Sequence, residues 1–235
     1  MDHHKNLYNP FVRSAQQKMW QESLTLGACV FVFLLIYTSA HDQSFTSLQV
    51  STSLSGTASL LIGFSFALSG FCYYWDFLDK KLAYRKYIGL VGYWSALSYS
   101  LTLLFLEPER YIFTFFDHIY EWEVLLGVTA MAIFTSMAII STNRMMRLLR
   151  PQKWRYGLRL GYVAYALLII RAYILEKDLW LQWATTPDSL PPPRLVLSIF
   201  AILVILFRIS MIVSQYRKKL WRHLQPTTSV VSPPQ

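Results

Sequence analysis

Apolar residues in this chain gather into six long blocks, at roughly 22–40, 54–75, 86–106, 122–142, 156–175 and 194–214. Each block holds about twenty residues, the number a helix needs to cross a ~30 Å hydrocarbon layer at 1.5 Å per residue. Strands of a membrane barrel are far shorter, so the pattern predicts an all-α fold, an integral membrane bundle of six helices. Pro, Asp, Glu, Lys and Arg concentrate between the blocks. The expected organisation is an N-terminal segment over 1–21, a six-helix domain over 22–215, and a basic segment followed by a disordered tail over 216–235. The stretch 176–193, with "TTPDSLPPPR", reads as a stiff exposed loop. The first block is longer than the apolar core of a typical signal peptide and about twenty residues precede it, so it is expected to be retained.

Composition agrees with the pattern: 54% of residues are hydrophobic and 15% charged, whereas soluble domains carry about a quarter charged. The net charge of +9 changes meaning once its placement is known. Assigning alternate connections to opposite sides puts 17 of the 22 Lys and Arg on one side, the side of both termini. The other side has Arg110, Lys177 and Arg194 against nine acids. By the positive-inside rule both termini are cytoplasmic. The basic excess then faces anionic lipid, and no nucleic-acid partner is needed to explain it. Trp20, Tyr73, Tyr74, Trp75, Trp122, Trp154, Trp180, Trp183 and Trp221 flank the blocks as interface anchors.

Candidate chemistry is sparse. His3, His4, His41, His118 and His223 all lie outside the blocks, so no imidazole is expected to project into the bundle as a b-type haem requires. Met131, Met137 and Met211 are read as packing residues, as are the only cysteines, Cys29 and Cys72. In "FDHIYEWE", Asp117, His118, Glu121 and Glu123 offer ligands to a divalent cation. The competing reading is that acids at the start of the fourth helix complement its dipole. Two arginines interrupt the blocks: Arg208 is placed to snorkel toward the cytoplasmic interface, and Arg171 to snorkel outward or pair with Glu176 or Asp178. An intramembrane Arg facing a cavity is the functional alternative. Small residues in "SGTASLLIGFSFALSG" and "GVTAMAIFTSMAIIST" permit close helix approach.

The order of these segments resembles the ferric reductase-like transmembrane domain family, and within it the small bacterial haem-binding membrane subunits of periplasmic methionine sulfoxide reductase systems. The likeness covers about 54–175: "SGTASLLIGFSFALSG" is similar to the family's second helix, "RKYIGLVGYWSALSY" to its third, "AIFTS" to the end of its fourth, and "WRYGLRLGYVAYALLIIRAY" to its fifth. The resemblance implies six helices, both ends cytoplasmic, in a bacterial inner membrane. It also implies haem-ligating histidines at one position in the third helix and two in the fifth. Those positions hold Tyr99 (Ser98 with a one-residue slip), Leu158 and Arg171, the last two keeping the family's spacing of thirteen. Leucine cannot ligate iron, and arginine does not give up its proton.

The expectation is therefore a multi-pass membrane protein that keeps the family's fold without its haem. Its role would be a membrane partner or scaffold subunit, or a small-ligand binder with Arg171 as a ligand contact. No cofactor is predicted by this reading. The alternative is a transmembrane electron-transfer oxidoreductase using haem b or a quinone; with no nucleotide-binding segment after the sixth helix, its redox partners would be separate proteins. A coupled transporter is disfavoured, because the blocks lack interrupted helices and paired internal acids.

Overall fold

The computed structural model describes residues 10–42, 46–75, 83–109, 113, 120–142, 145, 151–186 and 190–224. The described residues form six helices: α1 (Pro10–Asp42), α2 (Ser47–Tyr74), α3 (Tyr84–Leu106), α4 (Trp122–Ile140), α5 (Pro151–Thr185) and α6 (Pro193–Leu224). Five of them, all but α5, contain stretches long and apolar enough to cross a membrane.

Each apolar block falls on one helix, but several helices run past their blocks. Helix α1 starts at Pro10 rather than near 22, and α6 continues to Leu224 rather than ending near 214. The largest departure is α5, which extends through Glu176 to Thr185, so the predicted loop over 176–193 is helical for its first half. The physical reason is that a block records only the hydrocarbon layer, whereas backbone hydrogen bonding continues into polar surroundings. Local contacts support the extension: Tyr173 and Trp180 meet edge-on at 6.0 Å, and Trp180 Nε1 donates to Glu176 Oε2 at 3.2 Å.

Successive helices run in opposite directions, giving the bundle two chemically distinct ends. One gathers Thr38, Ser53, Glu123, Arg171 and Arg194, and here the Tyr37 hydroxyl donates to Pro191 O at 2.8 Å, stitching α1 to the start of α6. Trp20, Tyr87, Tyr162 and Arg208 occupy the opposite end, where Trp20 and Tyr87 meet edge-on at 5.4 Å. The first is called the acidic end below and the second the basic end, after the charges read from the sequence.

Helix α2 is the most enclosed helix, with Leu61, Ile62, Phe66 and Ala67 in the core. Ile62, Phe66, Ala130, Phe134, Tyr165 and Val204 form one cluster joining α2, α4, α5 and α6. The small residues do bring helices together, by two different routes. At Gly92 a Cβ would stand 3.1 Å from the Ile62 backbone nitrogen, so α2 and α3 nearly touch. At Gly63 and Gly70 the space is taken instead by the rings of Phe200 and Phe207 from α6. The bundle's outer surface is apolar, with Phe33, Ile36, Phe105, Leu203 and Leu206 exposed, as a lipid-facing surface requires.

Candidate functional site

A cavity of about 670 Å³ opens between α2, α3, α4, α5 and α6 in the acidic half of the bundle. Small side chains leave room for it: Ala58, Ala96, Gly127, Ala132 and Ala172 line it. Ile62, Phe134 and Tyr165 form its floor and belong also to the core. Tyr165 is almost wholly buried, and its hydroxyl donates to Ser59 O at 2.7 Å, so it closes the floor with a satisfied donor.

Arg171 lines this cavity. Its Nε donates to the Glu123 backbone carbonyl at 2.9 Å, which levels it with the first turn of α4. Gly127, one turn further along, makes room for the side chain, because a Cβ there would stand 3.2 Å from Nε. Among the described residues no carboxylate pairs with Arg171. The acid expected to neutralise it is engaged elsewhere: Glu176 Oε1 takes Arg194 Nη1 at 2.8 Å, and its other oxygen takes Trp180. The pairing with Glu176 is not made because α5 stays helical beyond Arg171. Glu176 sits five positions on, about 140° around the helix, and faces α6 instead.

The other sequence-derived positions divide. Tyr99 lines the same cavity as Arg171, from α3, so two of the three positions marked by the family register meet in one hollow. The side chain of Leu158 lies outside the described residues. So do Asp117 and His118 of the proposed metal cluster, while Glu121 precedes α4 and Glu123 falls in its first turn. Glu123 lines the cavity. Among the described residues no three metal-ligating side chains come together. His41 lies in the last turn of α1 at the acidic end, and Cys29 and Cys72 are not joined in a disulfide. Cys29 is exposed, which corrects its reading as a packing residue: it stands on the outer surface of α1.

Ser55, Ser59, Ser100, Thr135 and Ser198 add hydroxyls to the cavity wall. Sequence reading gave no hint of this set, because each residue looks like a small helix-packing position until five helices converge. The donor chemistry suits an oxygen-bearing amphipathic molecule, with apolar walls for its body and Arg171 for its polar group. Among the described residues the cavity's lining holds no histidine, and Met131 is the one sulfur-bearing side chain. Comparison of the chain with protein-family models and with curated protein sequences finds no match.

Proposed function

We propose that this chain is a multi-pass membrane subunit of ferric reductase-like fold that binds a small amphipathic ligand in its acidic-end cavity, without using haem. The observation that carries the reading is Arg171: a guanidinium at a largely apolar hollow, held by one carbonyl and with no carboxylate partner among the described residues. A cation so placed is costly unless something compensates it. The compensating group would be an oxygen-rich headgroup, such as a lipid phosphate or a quinone carbonyl, donated to by the free face of the guanidinium. The distribution of Lys and Arg supports the orientation, with the basic end in the cytoplasm of a bacterial cell and the cavity toward the outer leaflet. A second membrane or redox protein is the partner such a subunit would serve.

The test is a visible spectrum of the protein purified in mild detergent, with and without dithionite, followed by solvent extraction and mass spectrometry. The expected result is no stoichiometric b-type absorption and one amphipathic species near 1:1, lost in Arg171→Leu. A stoichiometric reduced haem spectrum would overturn the haem-free reading.

One observation favours the alternative of an electron-transfer oxidoreductase. Tyr99 and Arg171, at two positions where the resembled family places haem ligands, share a single cavity. In that reading a redox-active quinone occupies the hollow, and reduction of an added quinone by a separate donor protein is the discriminating assay.

A further inference from the structure

Two serines of the acidic-end cavity stand apart from the other hydroxyls that line it. Ser100 and Thr135 satisfy theirs on their own helices, donating to Ala96 O at 3.0 Å and to Met131 O at 2.8 Å. Ser59 Oγ lies 3.4 Å from the Tyr165 hydroxyl. Ser55 of α2 and Ser198 of α6 make no hydrogen bond among the described residues, although Ser198 is only 5% exposed. A hydroxyl enclosed in an apolar bundle without a partner is costly, and hydrocarbon supplies no water to satisfy it.

The two hydroxyls and Arg171 share one layer of the bundle. A Cβ on Gly56 would stand 3.2 Å from Leu197 Cδ1, so Ser55 and Ser198 sit on adjoining turns of α2 and α6. Tyr165 bonds to Ser59, and from that level Ser55 is one turn, about 6 Å, nearer the acidic end. Arg171 is about 9 Å nearer the same end along α5. Below this layer the lining turns apolar, through Ile62, Ala130, Phe134 and Leu168.

One side of the hollow meets the lipid-facing surface. Val128 and Ala132, one turn apart on α4, line the cavity and are also exposed, Val128 by 51%. Across from them Tyr99, Ser100 and Leu103 of α3 line it and are half-buried. Among the described residues α3 and α4 share the smallest interface of the packed helix pairs. Their one hydrogen bond, from the Tyr93 hydroxyl to Thr135 Oγ1 at 3.4 Å, lies toward the basic edge of this side.

We infer that the cavity takes its ligand from the bilayer: a chain-bearing lipid whose head oxygens accept from Ser55, Ser198 and Arg171, and whose chain leaves between α3 and α4. The inference rests on the ligand-binding reading above and narrows it to molecules with a chain. Acceptor oxygens in that layer satisfy both free hydroxyls and the guanidinium together. A chain covers the apolar wall below and continues past Val128 and Ala132 into lipid.

The test uses the full chain in neutral detergent, with native mass spectrometry after incubation with oleoyl lysophosphatidic acid, a decyl-substituted benzoquinone, or glycerol 3-phosphate. A chain-bearing probe is expected to remain bound near 1:1, and its head assigns the lipid source; glycerol 3-phosphate, a head without a chain, is expected to be lost. Ser55→Ala and Ser198→Ala should each lower retention about two- to fivefold. Neither should lower the unfolding temperature of the ligand-free protein, which separates recognition from a structural role. Ala132→Phe, at an exposed position, should lower retention several-fold by obstructing the side opening. A diazirine carried on the oleoyl chain should label α3 and α4 around Leu103, Val128 and Ala132. Equal retention of glycerol 3-phosphate, or unchanged retention in both serine variants, overturns the proposal. Binding that depends on Arg171 but ignores Ala132→Phe and labels other helices overturns the lateral route while leaving the ligand-binding reading intact. If no probe binds and no amphipathic species co-purifies, that reading fails as well.

Discussion

The two halves of this bundle are built from similar residues and end up in opposite states. In the basic half, glycines on α2 and α5 face large side chains, Phe207 against Gly70 and Phe66 with Met137 against Gly161, which take the space a Cβ would need. In the acidic half Ala58, Ala96, Ala132 and Ala172 line the interior, and about 670 Å³ stays open. A glycine therefore has no fixed meaning in a membrane helix. Opposite an aromatic ring it is a socket; at Gly127 it seats the Arg171 side chain. Tyr165 stands at the boundary, packed into the core on one side and flooring the cavity on the other.

The largest expected effect comes from abolishing that boundary. Tyr165→Ala should destabilise the protein by about 3–5 kcal/mol, the range for removing a buried ring, and should join the hollow to the core. Thermal unfolding in detergent measures the first consequence and loss of ligand the second. Filling a socket comes next. In Gly70→Ala the new Cβ would collide with the Phe207 ring, costing about 1–3 kcal/mol as overpacking does. Ligand content per folded molecule should be unchanged, because only the filled half is disturbed; a loss would mean the halves are coupled.

A smaller effect is expected at the acidic rim. Glu176→Gln removes the charge that meets Arg194 at 2.8 Å in a partly exposed setting, for a loss on the order of 1 kcal/mol. Its unfolding temperature should fall more at low salt than at high salt. Arg171→Leu is expected to perturb stability least, because its single bond is to a carbonyl at the mouth of α4. It should nonetheless remove the bound amphipathic species. A severe folding defect in this variant would recast Arg171 as a structural residue and leave the hollow without a polar anchor.

Much of this architecture was legible beforehand, because the bilayer constrains a sequence in one dimension. About twenty apolar residues must be present wherever a helix crosses, and all six blocks lie on helices. Helix ends were less legible: nothing in "RAYILEKDLWLQWAT" tells a reader that polar residues continue α5 to Thr185 rather than open a loop. The pairing of charges followed from that. Glu176 looked available to Arg171 by proximity in sequence, yet the continuing helix turns it toward Arg194. Arg171 itself stood out as a charge inside an apolar run, whereas Ser55, Ser100 and Ser198 carried no signal. Their convergence is a property of five helices at once.

The hydrogen bond from Tyr37 to Pro191 spans 154 residues and joins the first helix to the approach of the sixth. Translation proceeds from the N-terminal side, so this bond can form only after the first five helices have been made. The wall that α6 contributes to the cavity, through Leu197, Ser198 and Ala201, arrives at the same moment. Until then the hollow is open along that side to surrounding lipid. The order of synthesis therefore makes completion of the cavity wall a late event in biogenesis.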